Sequence, residues 1–402
     1  MATVTALRDQ PAPAVFADRV EAEAYVASVC FKHGPPKLFG VELEWTVHHA
    51  EDPTRVLDPH RLATALGGHA PPTLVPDSPQ RPLPSGTPLT VEPGGQVEIS
   101  TPPCTSLPDL LRTVTQDISH LTALLADHGL VLGDKGADQH RRPTRVLRVP
   151  RYAAMEHAFG ELGQDGISMM CNTAGLQVCL DFGEQEHLRD RWAAVHRLGP
   201  VMIALFANSP GIGGLHEGWA SARMRTLYGC DPVRTRPSAV CADPAGAYAR
   251  RVLDTPVIAV RGPGSSWIPP RRFTFAEWIG GAHDRRPTSD DLDYHLSLMF
   301  PPVRPRGYIE IRYLDTPPPG EWIAPSALLV ALFSDPSVVD GVLAATERAA
   351  GRWLVAARHG LADDRVARAA GDVVALGIEA LPRTGLSPEQ ISTISRELEG
   401  KL

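Results

Sequence analysis

Four short segments of this chain carry charged or amide residues two positions apart, the spacing that puts side chains on one face of a pleated strand. They are Glu42 and Glu44 in GVELEWTV; Gln96 and Glu98 in VEPGGQVEIS, with Glu92 ahead of the Pro-Gly-Gly break; Gln177, Cys179 and Asp181 in MMCNTAGLQVCLDF, with Thr173 upstream; and Glu310 and Arg312 in GYIEIRYLD. The alternate positions are apolar: Val41, Leu43, Val97, Ile99, Val178, Leu180, Ile309 and Ile311. Any one pair also fits an ordinary solvated sheet face. Such a face normally mixes lysine with glutamate and threonine, however, and these four segments contain no lysine. A buried carboxylate is costly unless a cation meets it. Clustered carboxylate and amide oxygens suit a hard divalent cation, and Mg²⁺ is typically held by one or two carboxylates together with substrate phosphates.

A cationic counterpart stands in SARMRTLYGCDPVRT, where Arg223, Arg225 and Arg234 flank an Asp-Pro turn. Arginine forks grip carboxylates and phosphates bidentately, so this segment reads either as a loop that holds an anionic substrate or as a solvated loop with incidental arginines. His48, His49, His120, His187 and His216 show no HxxxH or HxH spacing and read as structural or exposed. GIGGLHEG lacks the Lys-Ser/Thr ending of a phosphate loop. Neither a GxSxG elbow nor a cysteine set beside a histidine points to covalent hydrolysis.

Positioning such groups needs a sheet. Strand-like alternation covers 38–48, 91–101, 167–181, 256–260 and 307–315. Helical periodicity covers 106–128, 188–207 and 325–359, where Pro336 splits two helices, and the tail 361–402 also reads as helical, with Ser387-Pro388-Glu389-Gln390 as an N-cap and first turn. The 39 prolines and 35 glycines cluster between these segments and predict many long loops. The expected architecture is α+β, with helices on one face of a largely antiparallel sheet. The 402 residues, 43% hydrophobic and 21% charged, exclude a disordered or fibrous chain. The net charge of −7 is dispersed and no basic run carries interleaved aromatics, so nucleic acid is not an expected partner. Six cysteines without a CxxC pair read as free thiols of a reducing compartment rather than as a disulfide frame or structural zinc site. No apolar run has the length of a signal peptide core or a membrane span, and the expected location is cytoplasmic, away from the membrane.

Taken in order, GVELEW, LTVEPGGQVEIS, MMCNTAGLQVCLDF, ALFANSP, the SxR…DPxR segment and RGYIEIRYLD resemble the glutamate–cysteine ligases of the plant and bacterial type, most of all those of actinobacterial ergothioneine synthesis. The likeness runs from about 38 to about 360, with 361–402 as C-terminal helices of a single catalytic domain over 1–402. It implies a glutamine-synthetase-like catalytic fold in which a curved sheet forms a funnel backed by helices. It implies ATP, Mg²⁺ as two or three ions, L-glutamate and L-cysteine as ligands, and γ-glutamylcysteine, ADP and phosphate as products. By the same resemblance Glu42, Glu44, Glu92, Glu98 and Glu310 are metal-facing, and Glu98 and Arg312 serve the phosphoryl transfer. Gln177 stands where relatives have a polar residue facing the metals, as part of the cofactor site, and Arg223 and Arg234 match arginines near the glutamate and nucleotide. Cys179 stands where the plant pattern has asparagine. A ligase with another amine acceptor keeps the same residues. A non-catalytic ATP-binding homologue would not need the whole phosphoryl-transfer set.

Overall fold

The protein is described as a computed structural model over residues 13–402. Its strands are β1 (Phe39–Trp45), β2 (Val47–His49), β3 (Leu89–Val91), β4 (Val97–Ser100), β5 (Leu130–Leu132), β6 (Gly175–Leu180), β7 (Val303–Pro305) and β8 (Ile309–Asp315). Six of them form one sheet in the order β3-β4-β1-β6-β8-β7, and β2 pairs with β5. Every pairing is antiparallel.

Alternation then sorts the sheet into two faces. Val41, Leu43, Trp45, Val97, Ile99, Val178, Ile309, Ile311 and Tyr313 are at most 1% exposed and form the apolar layer, in which β8 packs on the helix Leu188–Leu205 and β6 on the helix Ile323–Leu332. Tyr313 donates its hydroxyl to the Val195 carbonyl at 3.3 Å, which ties β8 to the first of these helices. Each fully buried aliphatic or aromatic side chain contributes roughly 1.5–3 kcal/mol. A register slip of one residue would turn this whole set outward, so the packing helices lock the register and with it the identity of the opposite face. On that opposite face Glu44 lies across from Glu98, Glu42 from Gln177, and Cys179 from Glu310.

The α+β expectation holds, and so do the helices Leu107–Ala126, Leu188–Leu205 and Pro336–Ala345, the last with Pro336 at its first turn. The Pro388–Glu399 helix carries a capping box between Ser387 and Gln390. Two expectations fail. Residues 167–172 belong to the helix Gln164–Asn172, so only the second half of the expected 167–181 strand forms. Residues 256–260 form no strand; Pro256 makes one isolated bridge to Thr274, since proline cannot donate to a ladder. Among the described residues no single helix is long and apolar enough to cross a membrane. The Ile323–Leu332 and Pro336–Ala345 helices are apolar together but bend by 109°, and the first is buried along its length from Ala324.

The Pro-Gly-Gly break joins β3 to β4 and lies against another element. A Cβ on Gly94 would sit 2.1 Å from the Cys171 carbonyl oxygen, and Gly95 has φ +88°. The turn therefore docks on the C-terminal end of the Gln164–Asn172 helix. Gln96 completes the contact: its side-chain nitrogen donates to the carbonyls of Met170 (3.2 Å) and Thr173 (2.9 Å). Gly94→Ala should lower stability in urea denaturation by about 1–3 kcal/mol through overpacking against backbone. Gly34→Ala, where nothing lies within 4 Å of the added carbon, should stay within about 0.5 kcal/mol of the parent.

Candidate active site

The sheet face opposite the helices carries a connected polar row. Glu44 accepts from the Gly175 backbone N–H (2.8 Å) and from Gln177 Nε2 (2.7 Å). Gln177 in turn accepts at Oε1 from Arg312 Nη1, and the same nitrogen donates to Glu310 at 3.1 Å. Glu98 accepts from Thr90 (2.8 Å) and Ser100 (2.9 Å), its neighbours on the flanking strand and two residues along its own. Arg312 is left with Nη2 donating to no protein acceptor among the described residues.

The two ends of this row differ in charge balance. Glu310 is fully buried and is met by Arg304 in a two-pronged pair, by Arg306 at 3.4 Å and by Arg312 at 3.1 Å. Burial alone would raise its carboxyl, but Arg304 and Arg312 outweigh burial and hold it well below the usual carboxylate range. Glu310 therefore sits among guanidinium groups already, in a setting unlike the metal-facing one expected for it. Glu42, Glu44, Glu92 and Glu98 form no ion pair among the described residues. Burial, then the charges of Glu310 and Glu98, push the Glu42 carboxyl up to about 7. Burial, then Glu98 and Glu44, push Glu92 up to about 8, and Glu98 is raised by burial and Glu44.

Among the described residues no three His, Cys, Asp or Glu side chains stand close enough to hold a metal ion on their own. The donors nonetheless fit Mg²⁺: all are hard oxygens, they lie on one face, and they lack cations. An ion there would be completed by water and phosphate oxygens, as Mg²⁺ sites commonly are. Cys179 sits beside them with its thiol pushed well above the ordinary value by burial and by Glu42 and Glu310, so it remains an inert protonated group.

Two cavities open on this face. One, of about 100 Å³, is lined by Glu44, Glu92, Arg223 and Arg312 on its polar side and by Met155, Met169, Met170 and Phe300 on the other. The second, of about 240 Å³, is largely apolar and runs along Phe39, Val41, Pro103 and Tyr308 to Glu42 and Cys179.

The arginine segment is helical rather than a loop: Ala222–Cys230 starts from Ser221 as N-cap, and Pro232–Thr235 follows. Only Arg223 reaches the sheet, donating from Nη2 to the Arg312 carbonyl at 2.9 Å across Gly175, where a Cβ would come within 2.3 Å of that nitrogen. Arg225 pairs with Asp165 at 3.0 Å. Arg234 is fully buried away from the sheet face, held by Asp231 at 3.0 Å and by the carbonyls of Leu298 and Pro256. It stabilises loops and does not join the other expected site residues. Sequence reasoning missed Arg304 and Arg306, which lie on and beside the three-residue strand β7, too short to show a period. It also missed Met169 and Met170, whose helix was read as strand, and Met155, which lies in the helix Pro150–Gly160.

The raised carboxyls fix the sign of a pH effect. The folded chain retains protons on Glu42 and Glu92 that the unfolded chain has lost above its ordinary value of 4.5, so stability falls as pH rises from there toward 8. Glu310, lowered instead, costs stability only in acid below that value. Above about pH 7 the buried His48, His196 and His295, whose imidazoles burial lowers, are neutral in folded and unfolded chain alike, so metal-free protein should melt lower at about pH 8 than at about pH 7, Glu42→Gln should flatten the slope, and Mg²⁺ should raise the melting temperature more at the higher pH. A melting temperature independent of pH and Mg²⁺ across this window would contradict the charge balance described.

The fold and sequence have close counterparts. Residues 38–399 match glutamate–cysteine ligase family 2 (GCS2), reaching beyond 360 into the C-terminal helices. The chain is 38% identical over 379 residues to glutamate–cysteine ligase EgtA of Mycobacterium tuberculosis (strain ATCC 25618 / H37Rv), covering 91% of this chain and 84% of that protein. It is 29% identical over 264 residues to the chloroplastic glutamate–cysteine ligase of Brassica juncea, covering 63% and 51%. Among solved structures, glutamate–cysteine ligase from Francisella tularensis in complex with AMP superposes with a TM-score of 0.51 at 12% identity, covering 92% and 82%. The bifunctional glutathione synthetase of Pasteurella multocida gives 0.52 at 13%, covering 95% of this chain and 49% of that one. These two likenesses concern the fold, which is glutamine-synthetase-like. With the match spanning nearly the whole chain, this protein belongs to glutamate–cysteine ligase family 2 and is a ligase of the ATP- and divalent-metal-dependent kind.

Proposed function

We propose that the acidic sheet face joins the γ-carboxylate of L-glutamate to the amine of L-cysteine, with ATP converted to ADP and phosphate. The chain would act as one catalytic domain in the cytoplasm, its γ-glutamylcysteine feeding ergothioneine synthesis. The observation that carries the reading is the set Glu42, Glu44, Glu92 and Glu98, without cationic partners and adjacent to Arg312 and Arg223.

The small cavity suits an α-amino acid, whose carboxylates Arg223 and Arg312 meet. The larger apolar cleft beside Glu42 suits the base and sugar of the nucleotide. Glu42, Glu44, Glu92 and Glu98 would hold Mg²⁺, two or three ions by the resemblance, whose chemistry is to neutralise and align the phosphates. Arg312 is braced by Gln177 and Glu310 so that its remaining N–H groups point at the transferring phosphoryl group. Glu310 thus serves by orienting Arg304, Arg306 and Arg312. The glutamate γ-carboxylate attacks the γ-phosphorus and displaces ADP. The cysteine amine then attacks the acyl carbon, loses a proton and displaces phosphate. No protein nucleophile enters, in keeping with the un-ionised Cys179.

Glu98→Gln keeps shape and removes one negative charge, and should lower turnover by roughly two orders of magnitude with the fold retained, as read by phosphate release with glutamate and cysteine. Hydroxylamine supplied with glutamate, ATP and Mg²⁺ but no cysteine should give γ-glutamyl hydroxamate and ADP, and Arg312→Ala should lose this reaction. Hydroxamate formed without ATP would overturn the activated-glutamate order. Faster turnover with another amino acid acceptor would reassign the amine.

A further inference from the structure

Asp315 ends β8 in a position that strand alternation would not give it. Leu176 lies opposite Leu314 and Val178 opposite Ile311, so β8 fits one more residue into this stretch than β6 does. This β-bulge shifts the phase of everything after Arg312. Glu310 and Arg312 face the polar side; without the bulge Leu314 would follow them there and Asp315 would enter the apolar layer. With it, Leu314 is 1% exposed in the core and Asp315 lies opposite Gly175 on the polar side.

There the carboxylate, 3% exposed, is saturated with donors. Oδ2 accepts from Ser209 Oγ (2.6 Å) and the Asn208 N–H (2.9 Å), and Oδ1 accepts from Ser221 Oγ (2.8 Å). The two hydroxyls pass the contact on. Ser209 Oγ accepts the Arg223 N–H at 3.1 Å, and Ser221 Oγ accepts the Met224 N–H at 3.2 Å as N-cap of the Ala222–Cys230 helix. Arg223 Nη1 itself stands 3.9 Å from Oδ1. Asp315 so holds both the backbone and the guanidinium of Arg223. Space is reserved for the arrangement: a Cβ on Gly136 would come within 2.6 Å of the Asp315 Cβ.

We propose that Asp315 is a positioning residue that places Arg223 to receive the carboxylate of the amino-acid substrate. Asp315 lies outside the small cavity and touches no substrate. The inference rests on the reading of that cavity as the glutamate site, and its consequence is selective. Displacing Arg223 weakens glutamate capture and leaves the nucleotide cleft, lined by other residues, unchanged.

The test is steady-state kinetics with each substrate varied in turn. Asp315→Asn should raise the KM for glutamate about tenfold or more while the KM for ATP stays within about twofold. In an Arg223→Ala background the same substitution should change the glutamate KM by less than about twofold, because the two residues act as a unit. Ser209→Ala, which removes one donor only, should shift the glutamate KM in the same direction by a smaller factor, and supplies the answer if Asp315→Asn does not fold. Equal rises in both KM values, or effects that multiply in the double variant, would overturn the positioning role. An unshifted glutamate KM in Asp315→Asn would also overturn it, and would leave the functional reading standing. Wild-type ADP formation that does not saturate with glutamate would overturn that reading and the inference with it.

Discussion

The structure depends on buried and half-buried carboxylates that its own side chains do not neutralise. Burial in a low-dielectric setting disfavours the charged form of each acid, and neighbouring acids on adjacent strands add to the penalty. Glu42, Glu92 and Glu98 are all raised by this combination. A bound cation would make such a face favourable, and the apolar face provides the energy that holds the strands in place.

Glu310 shows what the same residue type becomes when arginines are supplied. On β8, two strands across the sheet from β1, it lies between Arg304, Arg306 and Arg312 and stays ionised. The sheet therefore runs from a cation-poor end at Glu92 and Glu98 to a cation-rich end at Arg304. Gln177, bonded to Glu44 on one side and Arg312 on the other, links the two. A polyphosphate with its cation matches this gradient, with positive ions meeting the acids and guanidinium groups meeting phosphoryl oxygens.

The acidic face was legible in the sequence because period-two alternation in β1, β4, β6 and β8 is written directly in the residues and because lysine is absent from them. What stayed hidden depends on contacts remote in the chain. The partners of Glu310 come from β7, whose three residues carry no periodic signal. The helix Gln164–Asn172 is packed against the Pro-Gly-Gly turn and runs directly into β6, so its residues read as an extension of that strand. Arg234 and Arg223 look alike in sequence, yet one is spent on Asp231 and backbone carbonyls while the other crosses Gly175 to the sheet. The bulge that turns Asp315 to the polar side leaves no mark in the residue pattern, since Tyr313 and Leu314 are both apolar and either phase is compatible with them.

The central claim is that a cation takes the place of protons on the acidic face. Calorimetric titration of the protein with Mn²⁺ in two buffers of different ionisation enthalpy counts the protons released per ion bound. Because the Glu42 and Glu92 carboxyls are raised to about 7 and about 8, binding near pH 7 should release roughly one proton or more, and release should fall toward zero above about pH 9, where both are already ionised. Binding without proton release at pH 7, or release undiminished at pH 9, would contradict the account.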